Sequence, residues 1–407
     1  MQKDEYMNYP IFKFKMINKV NLKSISYFAN VILLFSVILD PSNLFLGIKD
    51  IAFIFFVAVS FFDAKIKNVF ILIAFLTMYF ITFTFGLLAS QKMDLDFSFA
   101  TLKSFLFLLY LFWMNNDYLE ICSIFYKLTI IMGIIVIIIY FLMNQSLILE
   151  GIIYSFMGEK DFFVTAGRRT ILGTKLFYVH YRSSAICVIS LSLALYFLFS
   201  RRKFKYFIHF CILFLCLLIS GTRANMLSAI LISIFVMLFY LLYKKKSIMI
   251  FTILINLVCI FGSLIIFLLL TEANRSTQIK MGHQESMFSI FSENPIRFLL
   301  IGTGPGSLYY SLGFDGMTPQ SELTYLELIR NYGLVFTLII IYLFCIPFIK
   351  IINNKQYDKL LKFSLFIGYI SYLFIAGTNP LLINSNGFIV FSIMFYISQN
   401  NILKEIK

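Results

Sequence analysis

The sequence predicts an all-α polytopic integral membrane protein, with about twelve transmembrane helices, cytoplasmic N- and C-termini and two long outer-face loops. Hydrophobic residues make up 60% of the 407 residues and charged residues only 13%, whereas a soluble domain carries about 25% charged residues. Apolar stretches of membrane-spanning length recur along the whole chain. The alternation typical of a closed β-barrel is absent, so we expect the spans to be helices.

The apolar stretches define the predicted spans, because a helix needs about 20 apolar residues to cross the hydrocarbon core. The windows lie at 24–40, 44–62, 68–90, 97–114, 120–142, 185–200, 205–220, 224–243, 247–270, 331–349, 363–378 and 384–399. No small-residue cleavage site accompanies the first window, which favours a retained helix over a signal peptide. We therefore expect one transmembrane domain over 1–407.

The distribution of Lys and Arg predicts the orientation of these spans. With the N-terminus inside, the basic clusters at 13–23, 201–205 and 244–246 lie in short cytoplasmic loops, as the positive-inside rule requires. The long loops at 144–184 and 271–330 then face outward. The net charge of +14 reflects this topology, and we expect no nucleic-acid partner. All six cysteines fall in predicted spans without metal-ligand spacing, so neither a metal nor another cofactor is expected.

The loop at 144–184 carries more basic than acidic residues, including Arg168, Arg169 and Arg182. Positive charge is disfavoured on the outer face, and the guanidinium fork suits phosphate, so this loop indicates an anionic partner. A solvated loop on anionic lipid headgroups is the alternative. Tyr178 and its aromatic neighbours fit either sugar stacking or a membrane interface. His180 lies in the same loop, and an isolated histidine is more often structural.

The turn SGTRAN at 220–225 places Arg223 at the start of a predicted span. A cation is unfavourable at a helix N-terminus, and arginine at membrane depth usually marks a function. We therefore expect Arg223 to help bind an anion, with snorkelling to headgroups as the alternative. The connection at 40–50 carries Asp40 and Asp50. Either is a candidate base, although an Asp-Pro pair more often ends a helix.

The loop at 271–330 adds Arg275, Arg297 and Arg330. Its GTGPGS segment at 302–307 lacks the Lys-Ser/Thr of a phosphate loop, so we expect a flexible turn near the membrane. A helix is predicted from 321, with Ser321 as N-cap, Glu322 in the first turn and Glu322 sharing a broad face with Arg330. Glu327 and Arg330 have the i,i+3 spacing of an ion pair.

Three segments together resemble the Wzy-type bacterial polysaccharide polymerases and the related O-antigen ligases. SGTRANMLSAILISI resembles the family's Ser-x-x-Arg turn, NPIRFLLIGTGPGSLYY its Gly-x-Gly segment, and QSELTYLELIRNYGLVFTLIIIYLF the helix that follows. The ligases typically carry a histidine where this chain has Glu322, which favours polymerase. By resemblance, the protein is a glycosyltransferase of the bacterial inner membrane that acts in O-antigen, lipopolysaccharide or capsule biosynthesis.

The resemblance also implies a substrate and roles for the candidate residues. The substrate is an undecaprenyl-pyrophosphate-linked oligosaccharide in the lipid bilayer, with a chain-length regulator and a flippase as further partners. Arg223 and Glu322 are the predicted catalytic residues of an inverting, metal-independent transfer. The predicted pyrophosphate- and sugar-binding residues are Arg168, Arg169, Tyr178, His180, Arg182, Arg275, Arg297 and Arg330.

Two other functions remain open at this stage. An O-antigen ligase uses the same donor and transfers the glycan to a lipid or protein acceptor. A flippase for the same lipid-linked sugar predicts paired charges near the bilayer midplane and repeat symmetry between halves. The chain shows neither of these features, because its charges gather in the outer loops and its two halves do not resemble each other.

Overall fold

The computed structural model describes most of the chain and is mostly helical (81%). The described residues are 19–41, 47–63, 69–89, 92–113, 119–145, 148, 150–152, 155, 164–171, 174–243 and 275–399.

In the part that the structure describes, the N-terminal half contains several helices and one β-hairpin. These elements are α1 (Lys19–Leu39), α2 (Ile48–Asp63), α3 (Val69–Leu88), α4 (Leu95–Leu106), α5 (Tyr110–Trp113), α6 (Leu119–Gln145), β1 (Val164–Ile171) and β2 (Thr174–Tyr181). Three apolar helices follow, namely α7 (Cys187–Arg201), α8 (Phe204–Ile219) and α9 (Arg223–Tyr243).

The C-terminal part combines a polar segment with three further apolar helices. The polar segment contains α10 (Arg275–Glu293), α11 (Pro295–Leu300), β3 (Tyr309–Ser311) and β4 (Gly316–Thr318). The apolar helices are α12 (Thr324–Asn353), α13 (Lys359–Gly377) and α14 (Ser385–Gln399).

The helices support the class predicted from composition. Among the described residues, six helices are long and apolar enough to cross a membrane, and they lie at Val69–Leu88, Ile121–Gln145, Ser184–Arg201, Arg223–Tyr243, Thr324–Asn353 and Lys359–Gly377. Shorter apolar helices lie at Ser24–Leu39, Phe204–Ile219 and Ser385–Ser398. The predicted window at 247–270 falls outside the described residues. The chain is thus a multi-pass membrane protein, while twelve spans, the orientation and cytoplasmic termini stay predictions.

Two apolar helices form the centre of the bundle. In α7, every residue from Cys187 to Phe197 is buried, and in α14 so is every residue from Phe388 to Ile397. A helix that is hydrophobic on all sides is expected in such a position. α7 packs against α8, α9 and α13. Gly368 of α13 lies so close to Ser192 of α7 that a Cβ there would clash with the serine side chain.

A two-stranded hairpin corrects the all-α prediction for the loop at 144–184. β1 and β2 pair antiparallel, with Val164 opposite Tyr181. The Tyr181 hydroxyl donates to the carbonyl of Leu39 at the end of α1, and Ser183 Oγ donates to the carbonyl of Ile38 at 2.6 Å. The hairpin is thereby fixed to the end of α1, and Val179 and Tyr181 are buried there.

The GTGPGS segment is a buried, tightly packed turn, so the prediction of a flexible turn was wrong. All of its residues are buried. Positive φ angles occur at Gly302 (77°), Gly304 (88°) and Gly306 (86°). Thr303 N donates to the carbonyl of Arg330 at 2.7 Å, and Gly304 N donates to the carbonyl of Asn331 at 3.0 Å. A Cβ at Gly304 would lie 2.7 Å from the carbonyl oxygen of Thr82 in α3. The turn therefore packs against α3 and is hydrogen-bonded to the first part of α12.

The helix after this turn begins later than predicted. Its first residue is Thr324, and Leu323 occupies the N-cap position without a side-chain cap. Ser321 Oγ instead accepts from the backbone N–H of Leu323 at 3.0 Å. Glu322 therefore precedes the helix, and the predicted face shared with Arg330 does not exist. Gly333 has φ 75° and ψ 164°, which breaks α12 into a short N-terminal piece and a long apolar one.

Replacing Gly304 with alanine is predicted to destabilise the fold strongly. Gly47→Ala supplies the matched control, because Gly47 also has a positive φ (71°) but meets nothing within 4 Å. Left-handed strain alone should cost about 1–2 kcal/mol at either position. Gly304→Ala should add about 1–3 kcal/mol from the clash with α3. Thermal unfolding in detergent measures both, and equal midpoints for the two variants would contradict the packing described for this turn.

Candidate functional site

A polar cavity of about 710 Å³ lies at the end of the bundle that carries the β1–β2 hairpin. We call it the hairpin-end cavity. It is lined by Pro41, Lys49, Asp50, Ala100, Lys103, Ser104, Phe107, His180, Arg182, Gln320, Asn379, Pro380, Leu381, Asn384, Ser385 and Asn386. Segments that are distant in sequence therefore meet here, and a volume of this size accommodates a small organic ligand.

Three cations line the hairpin-end cavity, and Asp50 is the one carboxylate among its lining residues. Lys103 of α4 forms an ion pair with Asp50. Lys49, in the polar first turn of α2, donates from Nζ to the carbonyl of Pro41 at 2.7 Å. With Arg182, these residues give the cavity a positive balance that favours an anionic ligand.

His180 enters the same cavity from the last strand of the hairpin. Burial is the main cause that lowers its pKa to about 4, and the charge of Arg182 acts in the same direction. The ring hydrogen-bonds to the backbone of Ser220 in the SGTRAN turn. His180 is thus neutral at pH 7.

Uncharged amides complete the lining. Gln320 lies in the segment before α12, and Asn379, Asn384 and Asn386 lie between α13 and the first turn of α14. Asn384 is engaged in the turn itself, since its Nδ2 donates to the carbonyl of Pro380 at 3.0 Å. Its Oδ1 accepts from the backbone N–H of Gly387 at 2.9 Å. The cavity therefore combines cationic and neutral polar groups.

A second, smaller cavity of about 40 Å³ shares Gln320 and Pro380 with the first. Glu327 and Asn331 of α12 contribute polar groups to its lining. Glu327 Oε1 accepts from Arg330 Nη2 at 2.6 Å and from Asn331 Nδ2 at 2.9 Å. The Glu327 carboxylate, which lines the smaller cavity, is thus held by two side chains of its own helix.

Arg330 is a buried structural residue, and the ion pair predicted with Glu327 is confirmed. Its Nη1 donates to the carbonyl and to Oγ of Ser307, at 2.6 and 2.7 Å. Its Nη2 donates to the carbonyl of Pro319 at 2.6 Å, and its Nε to Glu327 at 3.3 Å. The guanidinium lies 4.6 Å from the Tyr309 ring centroid. Because these contacts engage every nitrogen of the guanidinium, Arg330 does not occupy the substrate-binding role predicted for it.

Arg223 and Glu322, the predicted catalytic pair, line neither of the two cavities. Arg223 Nη1 donates to Thr277 Oγ1 of α10 at 3.3 Å. Glu322 lies 3.7 Å from Lys280 Nζ, with about a third of its side chain exposed. Lys280 also donates to the carbonyl of Thr378 at 2.9 Å. These contacts tie α10 to the SGTRAN turn, to the segment before α12 and to the connection after α13. The catalytic roles of Arg223 and Glu322 stay predictions.

The other predicted binding residues are dispersed. Arg297 donates from Nε to the carbonyl of Gly302 at 2.9 Å, so it supports the GTGPGS turn at 302–307, which we call the glycine turn. Tyr178 packs against Gly221, because a Cβ added at Gly221 would lie only 2.5 Å from the Cβ of Tyr178. Arg168 and Arg169 lie in β1 and Arg275 begins α10, but their side chains lie outside the described residues. Of the predicted set, Arg182 and His180 reach the hairpin-end cavity.

Sequence reasoning missed Lys49, Lys103 and the asparagines of this cavity. Lys103 lies within the predicted span at 97–114, yet it forms an ion pair with Asp50 of another helix. One feature of the sequence could have revealed the two lysines, namely the presence of ionisable residues within apolar stretches at 49–50 and at 103. The asparagines carry no such signal, because a short uncharged loop is also an ordinary connection.

No family model, no curated protein and no solved structure matches the chain. Within the part of the chain that the structure describes, no group of three or more His, Cys, Asp or Glu side chains is placed to hold a metal ion. The absence of a metal and of other cofactors stays a prediction.

Removing the charge of Arg330 is predicted to destabilise the bundle strongly. Arg330→Met leaves the Glu327 carboxylate buried without its countercharge and should cost about 3–5 kcal/mol. Adding Glu327→Gln to that variant should restore part of the stability. Glu322→Gln is the control, since its partly exposed pair with Lys280 should contribute less than about 1 kcal/mol. Thermal midpoints of the four proteins test this, and similar losses for Arg330→Met and Glu322→Gln would refute it.

His180 is predicted to make the protein sensitive to acid. Its pKa is about 4 in the folded chain against the ordinary value of 6.5. Between these values the unfolded chain binds a proton and the folded chain does not, so the free energy of unfolding falls as the pH drops from 6.5 to 4. His180→Gln, which cannot titrate, should show a shallower decline of the thermal midpoint over this range. Parallel pH profiles for both proteins would exclude this contribution.

Proposed function

We propose that the protein is a polysaccharide polymerase that joins undecaprenyl-pyrophosphate-linked oligosaccharide repeat units at the outer leaflet of a bacterial inner membrane. The observation that supports this most is the hairpin-end cavity, where Lys49, Lys103 and Arg182 meet uncharged amides. A cationic group suits the pyrophosphate of such a donor, and neutral amides suit its sugars. In this proposal the hairpin end of the bundle faces outward, as the Lys and Arg distribution predicts, and the twelve-span topology is kept.

The reaction needs stabilisation of a leaving group. The hydroxyl oxygen of the acceptor sugar attacks the anomeric carbon of the donor, and the carbon–oxygen bond to the pyrophosphate breaks. The electron pair stays on the pyrophosphate, whose growing negative charge fixed cations stabilise. Arg182 and Lys49 take this role in our proposal, in place of Arg223, because they line the cavity and Arg223 does not.

The reaction also needs a group that accepts the proton of the attacking hydroxyl. Glu322 was the predicted candidate, but it lines neither cavity. Asp50 lines the hairpin-end cavity, and its ion pair with Lys103 holds the carboxylate in place. We therefore assign the role of proton acceptor to Asp50. The sequence already offered Asp50, together with Asp40, as a candidate base in the connection at 40–50.

The prenyl chain of the donor must reach this cavity from the bilayer. Several large apolar side chains on the helices are exposed, including Phe80 (52%) and Leu88 (75%) on α3, and Leu338 (57%) on α12. In a bundle within lipid, such side chains face acyl chains. A carrier lying in the outer leaflet can therefore approach the hairpin end of the bundle laterally.

The gel pattern of surface polysaccharide tests this proposal. Deleting the gene should replace the polymer ladder by a single lipid-linked or lipid-A-linked repeat unit. Complementation with Arg182→Ala, Lys49→Ala or Asp50→Asn should leave at least about 100-fold less polymer than the wild type, the usual loss when one transition-state donor is removed. Lys92→Ala is the matched control, because Lys92 is an exposed cation on the predicted outer face that does not line the cavity.

Other outcomes discriminate among the functions. Long polymer that accumulates on undecaprenol would identify a ligase, and lipid-linked units confined to the inner leaflet would identify a flippase. An unchanged ladder in a strain without a redundant copy would overturn all three. Membrane levels of each variant are measured by immunoblot, so that loss of polymer is not confused with loss of protein.

A further inference from the structure

Two hydrogen-bond acceptors at the hairpin-end cavity lack partners in the described part of the chain. They are Nδ1 of His180 and Oδ1 of Asn386, and both atoms are buried. Both residues line the cavity, and only 5% of Asn386 is exposed. A buried acceptor without a partner is unfavourable, and in native proteins it usually marks a bound group or a function.

The chemistry of these atoms restricts what can satisfy them. A phosphate oxygen is itself an acceptor and cannot donate to either atom, whereas a hydroxyl group donates readily. The low pKa of His180 keeps its ring neutral, with the hydrogen bond to Ser220 on one nitrogen and a lone pair on the other. Both acceptors are covered by neighbouring protein atoms, so a ligand reaches them by displacing these atoms. A sugar hydroxyl can then donate to them, whereas the pyrophosphate cannot.

A third uncharged side chain extends this arrangement. Gln320 lines the hairpin-end cavity and also the smaller cavity next to it. Its amide both donates and accepts, as a ring of alternating hydroxyls requires. The cations Lys49, Lys103 and Arg182 come from other segments of the lining. The cavity thus offers charged and neutral partners from different parts of the fold.

We propose that His180, Gln320 and Asn386 form a glycan subsite that binds hydroxyls of the sugar next to the pyrophosphate, separately from the cations that bind the pyrophosphate itself. This inference rests on the proposed function, and it assigns a specific part of the substrate to each group of residues. The cationic residues recognise every undecaprenyl-pyrophosphate donor alike. The neutral residues distinguish a glycosylated carrier from a bare one.

A competition experiment tests the subsite. The purified protein in nanodiscs is mixed with equal amounts of undecaprenyl pyrophosphate and of the lipid-linked oligosaccharides extracted from the host strain. Native mass spectrometry then reports the ratio of the two complexes. The wild type should prefer the glycosylated carrier. Asn386→Ala and Gln320→Ala should each lower this preference about three- to tenfold, the effect of one neutral hydrogen bond, without changing the affinity for the bare carrier.

Two controls separate this role from general damage. Asn144→Ala removes an exposed amide that lies outside the cavity lining and hydrogen-bonds to the carbonyl of Tyr140 within α6, so the preference should stay at the wild-type value. Arg182→Ala should weaken both complexes and leave their ratio unchanged. A wild type without preference, or full preference in both Asn386→Ala and Gln320→Ala, would overturn the subsite and leave the proposed function standing. A wild type that binds neither carrier would overturn the proposed function as well.

Discussion

The buried ion pair between Arg330 and Glu327 is the interaction on which the hairpin end of the bundle depends. The Arg330 guanidinium holds the carbonyls of Ser307 and Pro319, which lie on either side of the β3–β4 hairpin. The carbonyl of Arg330 receives the N–H of Thr303 in the glycine turn. One residue therefore fixes two stretches of irregular backbone, the GTGPGS turn and the segment after β4. Removing either charge would leave the other buried without compensation, which is far more costly than removing both.

The glycine turn transmits this constraint to the rest of the bundle. A Cβ at Gly302 would lie 2.5 Å from the Arg330 carbonyl oxygen, and one at Gly86 in α3 would lie 2.5 Å from the carbonyl oxygen of Thr303. Ser98 of α4 donates to the carbonyl of Pro305 at 2.8 Å. The turn thus sets where α3 and α4 stand relative to α12. Since Lys103 lies on α4 and Gln320 lies just before α12, the geometry of the cavity follows from this packing.

The sequence was informative about the apolar helices and less so about the polar segments. Hydropathy located the helices because burial in lipid requires long apolar runs. The turn at 220–225 contacts both polar segments, since Gly221 packs against Tyr178 and Arg223 donates to Thr277. The start of α12 was misplaced because a serine before an acidic residue matches an N-cap, whereas Ser321 Oγ accepts from the N–H of Leu323 in a local turn that precedes the helix. The same short pattern fits both arrangements, so it does not locate the first helical residue.

The role of Arg330 and the cavity lining were missed for a related reason. An arginine in a polar loop has the same sequence signature whether it binds a ligand or carbonyl groups of its own chain. The pairing of Lys103 with Asp50 joins residues of two different helices, and one sequence gives no measure of that distance. The hairpin at 164–181 was overlooked because its residues were considered for charge, although TKLFYVHY has the strand-forming aromatic and β-branched residues of a pairing segment.

The cavity lining extends from Pro41 to Asn386 and therefore has a consequence for biosynthesis. Helices enter the membrane in order as the ribosome moves along the message, at about 5–20 residues per second. The pair of Lys103 and Asp50 can form early, but Asn386 leaves the ribosome roughly 15–60 s later. Until α14 is made, the cavity lacks Ser385 and Asn386 from its lining. A nascent chain halted before that helix would be embedded in the membrane without the complete cavity.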